Sequence, residues 1–243
     1  MAGYPKDPKE IFPGITKEYK GLFDKDLESI ILYGSGAGLD YRPGRSDINF
    51  LIVLSEEGIG SLEWAFKTVE HWQKRKVAVP LFVTEEYVTR SLDVFPVEYL
   101  SMQRRHLLVY GKDLLADLTF DPGDVRLQCE REIKGKLLHL REGFLRTGGK
   151  ESGVKELISA SLPAFWAIFE ALLFLKGEEI PEERSRLIQT ACGSLDLDAV
   201  LFQELLGVRG ETVRPGKERL LLLFKRYTEE IRKLARTVDA WGG

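Results

Sequence analysis

A chain of 243 residues, 44% of them hydrophobic, is long and apolar enough for one large domain or two of moderate size, which excludes a disordered or fibrous protein. The 35 basic and 38 acidic residues leave a net charge of −3, so no global positive field speaks for binding duplex nucleic acid. The 2 cysteines, Cys129 and Cys192, lack CxxC spacing and fit reduced thiols of a cytoplasmic protein better than a disulfide framework or a zinc site.

In chain order, Met1–Glu10 is polar, carries Pro5 and Pro8, and lacks the apolar middle of a secretion signal. Apolar spacing predicts a helix over Ile15–Asp24, then a strand at Ser29–Tyr33, an Ile- and Leu-rich run bounded by turn formers. A turn-rich loop follows, and Asp47–Leu54 reads as the next strand, with Ile48–Leu54 its buried part. A helix over Leu62–Gln73 leads to a third strand, Val77–Thr84. Trp64 and Trp72 would share one face of that helix and pack against the sheet. Glu85–Leu92 and a segment opened by Phe95-Pro96 read as helices, and His106–Tyr110 as the last strand. This alternation predicts an α/β (α+β) unit with a mixed sheet.

The loop between the first two strands carries the chemistry. Gly34 and Ser35 end the first strand; with a short helical turn after them, their backbone N–H groups and the Ser35 hydroxyl face an anion. Asp47 and Asn49 alternate on the neighbouring strand, so their side chains leave one face and point back toward that cradle. A carboxylate there can hold a divalent cation against a triphosphate. Two other phosphate motifs fail at the same place. Gly34, Gly36 and Gly38 suggest a dinucleotide fingerprint, but its third glycine falls on Leu39 and no long helical pattern follows. Gly38–Ser46 has a spacer residue too many for a P-loop, Arg45 where lysine belongs, and a strand where a P-loop opens a helix.

Gly34-Ser35, the spacer and Asp47-Ile48-Asn49, flanked by Leu32-Tyr33 and by Gly44-Arg45-Ser46, resemble the nucleotidyltransferase superfamily of the polymerase-beta-type fold. Its members carry Gly-Ser followed by Asp-x-Asp or Asp-x-Glu on a strand. The resemblance implies that Gly34 and Ser35 contact nucleotide phosphates, with Arg45 and Ser46 as further contacts. It also implies that Asp47 binds magnesium and that Asp47 and Asn49 fill the catalytic positions. Asn49 departs from the pattern. The family places a third acid on a later strand, whereas Val77–Thr84 contains none; Glu85 and Glu86 come only at its end, where acids suit a helix start. An amide oxygen coordinates but brings no negative charge, so the Mg2+ expected here is weakly held or absent. With ~1.4 kcal/mol equal to tenfold in rate, the missing ligands remove several orders of magnitude of transfer chemistry.

Tyr110-Gly111-Lys112-Asp113-Leu114 resembles the family's ending near its domain boundary, and Asp121-Pro122-Gly123-Asp124 is a turn signal after which everything reads helical. The expected division is therefore 1–120, the nucleotidyltransferase-like unit, and 121–243, a helical bundle. The expected helices are Val125–Arg146, Lys155–Lys176, Pro181–Cys192, Asp198–Leu206 and Lys217–Val238. Leu220, Leu223, Phe224, Tyr227, Ile231 and Leu234 recur at helical spacing as one buried face. Pro163–Leu175, the most hydrophobic span, is interrupted by Glu170 and shorter than the ~20 apolar residues a bilayer needs. Glu170 itself, among aromatics, either meets a basic partner or serves as a general base toward an acceptor hydroxyl. His71, His106 and His139 lack metal-ligand spacing. Arg42, Arg45, Arg104 and Arg105 are phosphate-binding candidates, with Arg42 and Arg45 favoured because they lie on the cradle loop.

The pairing of a small α/β unit with a helical bundle resembles the aminoglycoside-type nucleotidyltransferases and their bacterial relatives. Three readings follow from it. The first is a protein that binds a nucleoside triphosphate (NTP) with Mg2+ and whose transferase activity is weak or lost. The second is a non-enzymatic, antitoxin-like interaction module with a vestigial pocket. The third is an active enzyme that modifies a hydroxyl of a small molecule or protein. Family members often dimerise, so a homodimer is among the expected partners; duplex nucleic acid and a membrane are not.

Overall fold

The computed structural model describes residues 4–241, so the first three residues of the polar N-terminal segment lie outside the described residues. The chain divides into two compact units, Met1–Phe120 and Asp121–Gly243. The first contains a four-stranded mixed sheet with helices; the second is helical.

In the first unit, Asp7 accepts the Lys9 N–H and caps a 3-10 turn, Pro8–Ile11, that runs into α1 (Phe12–Phe23). Ile15, Tyr19 and Phe23 recur four apart on α1 and are buried, one helical face turned to the sheet. After β1 (Leu27–Tyr33) come a 3-10 turn at Gly34–Ala37, a loop, and β2 (Asn49–Leu54). Next are α2 (Glu56–Ile59), a 3-10 turn at Leu62–Ala65, and α3 (Phe66–Gln73). The unit closes with β3 (Leu81–Val83), α4 (Glu85–Arg90), α5 (Pro96–Arg104) and β4 (His106–Gly111). Spatial order is β3-β2-β1-β4: β1 is antiparallel to both neighbours, and β2 runs parallel to β3. Strand alternation splits the core. Ile30, Leu32, Ile48, Phe50 and Ile52 pack with the α1 face, whereas Ile31, Leu51 and Val53 pack with Val83, Val88, Tyr99 and Leu115.

Three expected elements of this unit differ. The third strand does not run from Val77 to Thr84: Val77 makes an isolated parallel bridge to Ile48, and the ladder resumes only at Leu81. Pro80 between them has no N–H to give to a ladder. The helix expected over Leu62–Gln73 is interrupted by the 3-10 turn, so Trp64 is half exposed while Trp72 is buried, and they share no continuous helical face. β2 begins at Asn49, which leaves Asp47 in the approach to the strand.

The second unit comprises α6 (Pro122–Thr147), α7 (Glu151–Ser161), α8 (Trp166–Leu175), α9 (Arg184–Ser194), α10 (Ala199–Arg209) and α11 (Lys217–Ala240). Asp121 accepts the N–H groups of Gly123 and Asp124 and so fixes the start of α6. The helix expected over Lys155–Lys176 is two helices, joined by a 3-10 turn at Leu162–Phe165 that contains Pro163. All six residues of the expected α11 face are buried. Tyr227 stands edge-on to Phe165 and Phe202, with ring centroids 6.0 Å apart in each pair. Burial there drives the Tyr227 hydroxyl pKa upward, and it pushes the Cys192 thiol up to about 12. By length and composition, Glu151–Leu175 passes as a membrane span among the described residues, but 56% of its most apolar window is buried, as in a core helix of a folded protein.

Two outcomes are expected. Gly111 has φ +80, and a Cβ there would lie 1.9 Å from the Glu28 carbonyl oxygen; Gly111→Ala should lower the unfolding free energy in urea by more than ~2 kcal/mol. Asp198 caps α10 through the Leu201 N–H, and that bond, with Arg226, holds its carboxyl below the usual range against the opposing cost of burial. A depressed carboxylate stabilises above its unfolded pKa, ~3.9, and that contribution disappears as pH falls through the folded value. Asp198→Ala should therefore cost ~1 kcal/mol at neutral pH, and the gap to wild type should close below pH ~4 in acid-titrated melts.

Candidate functional site

The site is built where β1 ends. Tyr33 is the last strand residue and pairs with Asn49 on one side and His106 on the other. Directly opposed residues share a sheet face, so Asn49, Tyr33 and His106 form a row across β2, β1 and β4. Gly34 then leaves the strand with φ +75, a left-handed conformation that only glycine adopts readily. Its N–H donates to the Arg105 carbonyl at 2.9 Å. A Cβ at Gly34 would stand 3.6 Å from Asn49 Nδ2, so the backbone turn and the Asn49 amide are immediate neighbours. The turn closes when the Gly38 N–H reaches the Ser35 carbonyl (3.3 Å). The Arg105 side chain runs beside it: a Cβ at Gly38 would meet Arg105 Cδ at 3.5 Å.

Arg42–Ser46 is a tight turn of its own. Both Arg45 and Ser46 donate backbone N–H groups to the Arg42 carbonyl, and Ser46 Oγ accepts the Arg42 N–H at 3.0 Å. The Ser46 hydroxyl oxygen thus serves the loop, while Arg42 and Arg45 are exposed. Gly44, at φ +71, lies under Tyr4, whose ring would be 2.9 Å from a Cβ there.

Asp47 projects into solvent, 64% exposed, with Lys76 Nζ at 3.8 Å from Oδ1. Ile48 between Asp47 and Asn49 is fully buried, which turns both neighbours away from the α1 side of the sheet. The structure therefore brings Gly34 and Asn49 together and places Asp47 against a lysine. It gives Ser46 to its own turn and lays the Arg105 side chain beside Gly38.

The donor set is thin for the magnesium that the resemblance implies. Among the described residues no three of His, Cys, Asp and Glu gather in a group able to hold a metal ion. β3 carries no acid. Glu85, at the start of α4, is instead bonded to Lys112 at 2.6 Å. In nucleotide sites Mg2+ keeps several waters and is held by one or two carboxylates together with the substrate phosphates. Here the protein offers the low end of that range, a single exposed carboxylate that already faces an ammonium.

Sequence reasoning missed three features. Lys76 is the first. The second is a clasp on His106: Nδ1 lies 2.8 Å from the Gln103 carbonyl, and Nε2 lies 3.0 Å from both Asp113 carboxylate oxygens. Asp113 also accepts from the N–H groups of Leu115 and Ala116, and the Gln103 amide donates to the Leu115, Ala116 and Leu118 carbonyls. With both ring nitrogens engaged, His106 anchors β4 rather than acting as a base at the row. The third is Tyr33, whose hydroxyl burial pushes up in pKa and which separates Asn49 from His106. Glu170 is buried in α8, 2% exposed.

No protein-family model and no curated protein matches this chain. Among solved structures it is similar to a spectinomycin adenyltransferase, AAD(9), from Enterococcus faecialis, crystallised with ATP and spectinomycin. The similarity has a TM-score of 0.48 at 13% sequence identity and covers 95% of this chain and 99% of that one.

Because the Asp113 carboxylate serves His106 and two backbone N–H groups, Asp113→Ala leaves several donors without an acceptor. It should lower the stability of the first unit by ~2 kcal/mol or more in denaturant titration, with Asp113→Asn falling between it and wild type.

Proposed function

We propose that this chain binds a nucleoside triphosphate at the end of β1 and that its nucleotidyl transfer is weak or lost. One observation carries the reading: the left-handed Gly34 turn lies against the Asn49 amide, with Asp47 presented two residues earlier on the same approach. In this reading Gly34 and Ser35 face the phosphates, Arg45 and Arg105 supply guanidinium charge, and Asp47 and Asn49 occupy the positions of the reacting centre. Ser46 acts indirectly by holding the Arg42–Ser46 turn.

The weakness of the chemistry follows from charge. Phosphoryl and nucleotidyl transfer rest on positioning and on neutralising charge at the transferring phosphorus, commonly with two metals gripped by several carboxylates. Here one carboxylate is available at the motif and an amide stands at the second position. Removal of anionic ligands at ~1.4 kcal/mol per tenfold in rate leaves a site suited to binding more than to turnover. Any residual reaction would pass a nucleoside monophosphate to a hydroxyl of a small molecule or protein and release pyrophosphate.

Calorimetry with ATP, GTP, CTP and UTP should give saturable heat with at least one of them, and flat traces with all four would refute nucleotide binding. Asn49→Asp adds the second carboxylate. It should raise Mn2+ affinity by at least ~tenfold and raise label transfer from radioactive NTPs above the wild-type level. Transfer by wild type at ordinary enzyme rates, ~1–1000 per second, would show that the chemistry is intact.

A further inference from the structure

The cation facing Asp47 is part of the chain. α3 closes with the Lys76 N–H bonded to the Gln73 carbonyl (3.1 Å) and the Val77 N–H bonded to the Trp72 carbonyl (3.2 Å). These paired bonds are a Schellman ending, whose left-handed residue is usually glycine. Here that residue is Lys76, with φ +66. Its carbonyl accepts the Ile48 N–H at 2.9 Å, and the Ala78 N–H returns to the Ile48 carbonyl at 3.0 Å. The lysine backbone is thereby fixed beside the residue that separates Asp47 from Asn49. Its side chain is 40% exposed and brings Nζ to 3.8 Å from Asp47 Oδ1.

Stability does not explain the lysine. An exposed ion pair at this distance contributes little, and a β-carbon in the left-handed region is unfavourable where glycine would be at ease. A strained side chain beside a candidate site is better explained by what that side chain does there.

The geometry points to Lys76 as the tethered counter-charge of this site: a triphosphate binds here as the metal-free anion, held by the Lys76 ammonium where the family resemblance implies magnesium. The inference rests on the nucleotide-binding reading and goes beyond it by replacing the cofactor with a residue. An ammonium is a compact cation with three donors, suited to phosphate oxygens, and Asp47 then orients the lysine instead of ligating a metal. No bond is made or broken in this step. It also accounts for the donor set, because a carboxylate that orients a lysine needs no second or third acid beside it.

The test is calorimetry on the whole chain with the four NTPs and with inorganic tripolyphosphate, each in EDTA and in excess magnesium. Wild type should bind at least as tightly in EDTA as in magnesium. Lys76→Gly removes the charge and relieves the left-handed residue, so it should melt no lower than wild type yet bind ~tenfold or more weakly in EDTA. Lys76→Arg should keep most of the binding. Wild-type binding that requires magnesium, or Lys76→Gly binding in EDTA as wild type does, would overturn the counter-charge while leaving nucleotide binding intact. No binding by wild type in either condition would overturn both.

Discussion

The geometry of the site depends on how the chain leaves β1. Tyr33 is held from both sides by β2 and β4, and the next residue must turn at once into left-handed space while giving its N–H to the Arg105 carbonyl. Only glycine meets that demand without strain. The same bond ties the turn to the segment between α5 and β4, so the Arg105 side chain comes to lie along Gly38. The clasp of His106 by Asp113 and by the Gln103 carbonyl then fixes the start of β4. A short region of polypeptide is thus cross-braced by backbone bonds, and the side chains around it inherit their positions.

On the other side of the row, positioning comes from a helix ending. The Schellman closure of α3 hands Lys76 to the Ile48 backbone, and alternation about the buried Ile48 sends Asp47 and Asn49 outward together. The charges at the site consequently differ from those of a metal-binding edge: a carboxylate, an amide, an ammonium and nearby guanidinium groups. In the proposed reading such a set attracts a polyanion directly. To a divalent cation the protein side of this set offers one carboxylate.

Much of the fold was legible in the sequence because its signals are local. The Ile- and Leu-rich runs of β1 and β2, the apolar stripe of α11 and the turn at Asp121–Asp124 each declare themselves within a few residues. The neighbouring placement of Gly34 and Asn49 followed from reading two strands joined by a turn-rich loop. Where the reading failed, a proline or a tertiary contact had intervened. Pro80 interrupts what looked like an eight-residue strand, and Pro163 sits comfortably in the first turn of a 3-10 segment, a position that hides a break between two helices. The His106 clasp could not be foreseen, since its partners acquire meaning only once β4 is in register. Lys76 gave the least warning. Its place is one where sequence rules expect glycine, so a lysine there looked like the middle of an ordinary connection rather than a residue set beside the acid of the neighbouring strand.

The most direct measurement is anomalous diffraction from crystals soaked with a nonhydrolysable nucleoside triphosphate and manganese. We expect phosphate density against Gly34-Ser35 and within hydrogen-bond reach of Lys76 Nζ, with no manganese peak at Asp47. A manganese ion bridging Asp47 and the phosphates, with Lys76 displaced, would contradict this.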